Sequence, residues 1–188
     1  MADRYRTFAD LAAREQLGID YCIREEDRRS PCVILAPHGG RIEPGTSEIA
    51  EAIAGTDLSF YAFEALRDGP HGDFHITSHL FDEPRAIALV GRSQIAIAIH
   101  GRRDEGTQTV WLGGRATALS IAIGASLHNS GFEAKPNERL PGHSQTNICN
   151  RTRSGEGVQL ELPRSLRRQL TSDASLLRVF CEAIRRAI

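Results

Sequence analysis

Within residues 36–48 (APHGGRIEPGTSE), His38 is followed by two glycines and then, five positions on, by Glu43. An imidazole nitrogen and a carboxylate oxygen brought together by a glycine-opened loop are donors suited to Zn²⁺. His100 closes the apolar run QIAIAI and precedes Gly101. It completes a His, Glu, His set, and three protein ligands that leave a fourth position for water describe a catalytic rather than a structural zinc. The bland alternatives are a surface loop carrying His38 and Glu43, and a satisfied strand-end histidine at 100. Glu161 lies in GVQLEL, where Val158, Leu160 and Leu162 share one strand face and Gln159 and Glu161 the other. It is either a solvated strand residue or, beside a zinc-bound water, a general base.

The remaining candidates carry less. His75 and His79 have helical metal-pair spacing, but FHITSHLF reads as a strand running into a loop. Four residues along a strand span about 13 Å, too far to share an ion. His71, His128 and His143 sit in polar surroundings and read as surface residues. Residues 141–170 carry Arg151, Arg153, Arg164, Arg167 and Arg168. These form either a solvated basic face or a source of bidentate clamps for a substrate carboxylate, with Arg151 and Arg167 the first to consider. There is no phosphate loop, no GxSxG elbow and no cysteine beside a credible His/Asn partner.

These side chains need a scaffold, and the chain supplies an alternation of strand-like and helix-like segments, the mark of an α/β domain. Residues 5–15 read as a short amphipathic helix and 21–24 as an edge strand. Residues 32–36 (CVILA), stopped by Pro37, read as a central strand buried on both faces. A helix over 46–54 follows, with Thr46 or Ser47 as cap, Glu48 at its positive end and Gly55 after it. Strands are expected at 59–63, 73–77, 94–99, 109–112 and 157–162. Helices are expected at 83–91, 115–130, 166–170 and 175–187. In such sheets ligands bind beyond the carboxyl ends of the strands, where His38 and His100 fall.

Composition narrows the class. A chain of 188 residues with 40% hydrophobic and 25% charged residues suits one domain, taken here as residues 1–188. Its 23 basic and 24 acidic side chains give a net charge of -1, which provides no global basic field for nucleic acid. Lysine occurs once, at Lys135, and every other cation is arginine. The charged N-terminus has no signal-peptide apolar core and no segment is long enough to span a bilayer, so synthesis in the cytoplasm and no membrane partner are expected. Four cysteines without a CxxC pair argue against a thiolate zinc site. A bridge between Cys22 and Cys32 is the one disulfide considered, and a reducing compartment opposes it.

PHGGRIEPGTSEIAEAIA, FHITS with FDEP after it, the strand ending in His100-Gly101, the glycine pair at 113–114, and NICNR with GVQLELPRSLR occur in this order over residues 30–168. Together they resemble the phage-type poly-γ-glutamate hydrolase family. The resemblance implies a zinc-carboxypeptidase-like, three-layer α/β fold, with a mostly parallel or mixed sheet and helices on both faces. It implies zinc held by His38, Glu43 and His100, Glu161 as catalytic carboxylate, and cleavage of γ-glutamyl amide bonds in capsular poly-γ-glutamate. For a phage protein it also implies release by host lysis. Compared with the wider zinc carboxypeptidases, four residues rather than two separate His38 from Glu43, and the substrate arginines of that group have no legible counterpart. The same zinc machinery acting on another amide, an N-acylated glutamate or a peptidoglycan peptide, is the alternative. A non-enzymatic metal-binding module is a third reading, which a base beside an open metal position disfavours.

Overall fold

The computed structural model describes residues 3–188. Strands β1 (Tyr21–Glu26), β2 (Cys32–Gly40), β3 (Ser59–Ala65), β4 (Ile95–Arg102), β5 (Val110–Gly114), β6 (Ala134–Pro136) and β7 (Val158–Pro163) form one mixed sheet in the order β1-β3-β2-β4-β7-β5-β6. β3, β2, β4 and β7 run parallel, β1 and β5 pair antiparallel to their inner neighbours, and β6 runs parallel to β5.

Alternation along the strands builds a core on each face. Cys32, Ile34 and Ala36 of β2, Ile97 and Ile99 of β4, and Val158, Leu160 and Leu162 of β7 pack on one face. They are covered by α2 (Thr46–Ala54), α4 (Thr117–Asn129), α5 (Arg164–Ser172) and α6 (Ala174–Arg185). Val33, Leu35, Ala96 and Ala98 face the other way, against α1 (Phe8–Ala12) and α3 (Pro84–Arg92). The result is the expected three-layer architecture with helices on both faces.

From β2 the chain passes through α2 to β3 on one side, and β4 then lies on the other side of β2. Order reverses between β2 and β4, and at such a switch point the connections leave in opposite directions and open a crevice above the carboxyl ends. The ladder between β2 and β4 stops at Leu35 and Ala98, so His38 and His100 stand just past the last paired rungs.

Several local expectations change. β2 does not stop at Pro37 but continues to Gly40, because its register with β3 shifts between Ala36 and Gly39. Proline is tolerated at such a bulge, where no ladder N–H is required of it. Residues 73–77 form no strand. A 3-10 turn at His71–Asp73 leads into irregular chain whose Phe74 and Ile76 are buried in the second core. Neither Thr46 nor Ser47 caps α2. Its N-cap is Gly45, and Thr46 Oγ1 instead donates to the Glu43 carbonyl at 2.9 Å. β6 escaped the sequence because it is three residues long and contains Pro136. Cys22 and Cys32 are both free, since β3 lies between β1 and β2, and Cys22 donates instead to Glu64. Among the described residues no helix is long and apolar enough to cross a membrane.

Candidate active site

His38, Glu43 and His100 meet at the carboxyl ends of β2 and β4, all three buried. The Nδ1 atoms of His38 and His100 are 3.2 Å apart. Glu43 Oε1 is 3.5 Å from His38 Nδ1, and Glu43 Oε2 is 3.8 Å from His100 Nδ1. A tetrahedral ion with ligands at 2.0–2.1 Å sets them about 3.3–3.4 Å apart, inside the observed range. The opposite ring edge fixes the tautomer of His38. His38 Nε2 donates to the Ile76 carbonyl at 2.8 Å, and Ser78 Oγ lies 3.4 Å from His100 Nε2. The His38 bond leaves the Nδ1 lone pair facing inward, the arrangement that outer partners of metal-bound histidines impose. Nitrogen lone pairs and a carboxylate aimed at one point repel unless a cation or a proton lies between them. The donor set therefore fits Zn²⁺.

Glu43 is held from the far side as well, accepting the Gly101 N–H through Oε2 at 2.7 Å. Gly39 does a different job from the one its place beside His38 suggests. A Cβ there would lie 1.9 Å from Ser47 Oγ and 3.1 Å from the Phe63 carbonyl. The glycine lets the bulged end of β2 press against α2 and β3, rather than opening space beside the imidazole.

Glu161 pairs in register with His100 across β4 and β7, on the face away from Val158, Leu160 and Leu162. Residues in register on parallel strands project to the same side, and both line a cavity of about 990 Å³. Burial and the nearby Glu43 charge push the Glu161 carboxyl up to about 7. Burial, reinforced by repulsion from His38, lowers His100 to about 3, so it is neutral at pH 7. Burial opposes charge on His38 too, but there the Glu43 carboxylate outweighs it and the net direction is upward.

The segment at 74–78 enters the site, contrary to its weak showing in the sequence. His75 stacks on His38 with ring centroids 4.0 Å apart, and it offers a donor atom within 4.8 Å of donors from His38 and Glu43. Asp3 accepts from His75 Nδ1 at 2.7 Å and also binds the Thr77 amide and hydroxyl. Burial and repulsion from His38 bring His75 down to about 4. His79 and His143, both exposed, also line the cavity. His128 is exposed on α4, and the His71 side chain lies outside what is described.

Of the two arginines singled out from the sequence, Arg151 is not among the lining residues. It donates to the Thr146 and His79 carbonyls, bracing the loop outside the cavity. Arg167 does line the cavity, but it is buried and its guanidinium is engaged by backbone carbonyls. Arg41, Arg102, Arg103, Arg139 and Arg164 complete the cationic lining, against which Glu43 and Glu161 are the lining carboxylates. Spacing could not reveal this rim, because its members come from four separate loops and helix ends. One wall, residues 139–144, is pinned by Gln159 Nε2 donating to the Leu140 carbonyl at 3.1 Å, with Gln159 Oε1 held by Asn147 Nδ2, and by Asn150 Nδ2 donating to the Gly142 and Ser144 carbonyls.

The fold is a mixed-sheet α/β domain with a His/Glu/His donor set and a half-buried carboxylate beyond the carboxyl ends of its central strands, ringed by arginine. Comparison with known proteins makes the class specific. Residues 5–179 match the poly-gamma-glutamate hydrolase family, and the chain belongs to it. The SPbeta prophage-derived UPF0714 protein YoqZ of Bacillus subtilis (strain 168) is 36% identical over 179 residues, which are 93% of this chain and 64% of YoqZ. The chain thus spans less than two thirds of that relative. The structure of a bacteriophage poly-gamma-glutamate hydrolase superposes with a TM-score of 0.93 at 30% identity, covering 99% of this chain and 96% of the other. A zinc-free apo structure of YndL superposes with a TM-score of 0.90 at 32% identity, covering 98% and 96%.

Proposed function

We propose that this chain is a zinc-dependent hydrolase of γ-glutamyl amide bonds in poly-γ-glutamate, with His38, Glu43 and His100 as the zinc ligands and Glu161 as the general base. The observation that carries the proposal is the convergence of the two Nδ1 atoms and the Glu43 carboxylate at 3.2–3.8 Å inside an arginine-lined cavity. Zinc, when bound, supplies a Lewis acid that polarises the scissile carbonyl and makes water acidic near neutral pH.

The chain's own residues do the rest. Glu161 accepts a proton from the attacking water at a carboxylate oxygen and passes it to the leaving amine nitrogen. A carboxyl poised at about 7 is matched to taking and returning a proton at neutral pH. The exposed guanidiniums of Arg103, Arg139 and Arg164 receive the α-carboxylates that every γ-linked residue presents. Arg151 acts on the substrate only through the loop it braces. The test is hydrolysis of poly-γ-glutamate and of N-formylglutamate by purified protein, with metal analysis and with and without chelator. Chelator-sensitive cleavage of the polymer is expected. Cleavage of only the small amide would assign the same machinery to another glutamate derivative, and chelator-insensitive activity would overturn the zinc reading.

A further inference from the structure

Arg167 is 4% exposed in the body of α5, an unusual depth for a guanidinium. Its Nε donates to the Leu162 carbonyl at 3.2 Å, one terminal nitrogen to the Pro44 carbonyl and the other to the Arg102 carbonyl at 3.3 Å. Each acceptor stands within two residues of a residue of the site. Pro44 follows Glu43, Arg102 lies two past His100, and Leu162 follows Glu161. One planar group thus ties the loop between β2 and α2 to the ends of β4 and β7. It lies flat on Gly101, where an added Cβ would come within 2.5 Å of its Cζ, and the Gly101 N–H is the one that holds Glu43.

We infer that Arg167 is a positioning residue, setting the relative placement of the metal donors and Glu161 rather than clamping substrate. The inference rests on the zinc reading above. Each of its three nitrogens already donates to a backbone carbonyl, so the group is spent on the scaffold before any substrate carboxylate arrives. The nearby Glu43 and Glu161 charges supply the counter-charge that a buried cation needs. A lysine ammonium is a point donor and cannot span three carbonyls in one plane.

The test uses Arg167→Lys and the orthogonal Gly101→Ala, which crowds the guanidinium without removing it. Zinc affinity is read by chelator competition in the absence of substrate, and the cobalt-loaded proteins give a visible spectrum that reports donor geometry. Both variants should bind zinc about 10–100-fold more weakly, the usual effect of losing an outer partner of metal ligands, with altered cobalt spectra. On poly-γ-glutamate kcat should fall with KM little changed. Wild-type zinc affinity and cobalt spectra in a folded variant would overturn the inference, as would a raised KM at unchanged kcat, the behaviour of a substrate clamp. If Arg167→Lys does not fold, Gly101→Ala decides alone. If no γ-glutamyl activity exists in the wild type, the metal arms still decide the role of Arg167, so the two readings fail separately.

Discussion

Replacing Glu161 by glutamine should stabilise the zinc-stripped protein while disabling the enzyme. The carboxyl titrates at about 7 in the fold because of burial and Glu43, against about 4.3 in an unfolded chain. The native state therefore keeps a proton that the unfolded state releases. Stability falls as pH rises from about 4.3 to about 7 and is flat above, with each unit of difference worth about 1.36 kcal/mol. The deficit works out at about 1 kcal/mol at pH 5 and about 3.6 kcal/mol at pH 8. Glutamine keeps the shape and never ionises. Urea unfolding of zinc-stripped Glu161→Gln should show an advantage over wild type that grows by about 2.5 kcal/mol between pH 5 and pH 8. In the zinc-loaded enzyme kcat should drop about 10²–10⁴-fold with zinc content unchanged. Equal stability of the two proteins at pH 8, or an advantage that does not grow with pH, would refute the buried-carboxyl argument. Wild-type turnover in the variant would move the base elsewhere.

His38→Ala and His100→Ala should each lose bound zinc, measured as metal per chain after gel filtration; full occupancy in either would remove that residue from the ligand set. In the Glu161→Gln background, the zinc-free protein should lose about 2–4 kcal/mol of urea stability between pH 7 and pH 5. His75 and His100, held at about 4 and about 3, stay neutral in the fold while the unfolded chain protonates them below pH 6.5; a flat profile across that window would contradict the burial of these rings. Gly39→Ala places a methyl group 1.9 Å from Ser47 Oγ. The overpacking should cost about 1–3 kcal/mol, seen as a melting point lower by several degrees, and an unchanged melting point would mean that α2 yields freely.

The sequence alone determined what is local and periodic. CVILA and IAIAI (95–99) are apolar through their length, which makes them central strands, and strand ends are where ligands sit. The alternation in GVQLEL by itself separates Glu161 from Val158, Leu160 and Leu162. The histidine and carboxylate of the PHGGRIE motif are metal-type donors whatever their surroundings. Only the tertiary structure decided which groups from distant segments share a space. Nothing periodic in FHITS says that Ile76 and Ser78 face the outer nitrogens of His38 and His100, since that depends on an irregular segment folding over a crevice. The role of Arg167 was equally hidden. On paper it is one member of a basic cluster, and in the fold it reaches three carbonyls, two at the ends of β4 and β7 and one in the loop between β2 and α2. The same holds for Gly39, whose missing side chain answers to Ser47 and Phe63 rather than to the His38 beside it. Periodicity records how each element faces the core, whereas a site is built where the elements end, and there the geometry is set by contacts between residues up to 123 positions apart.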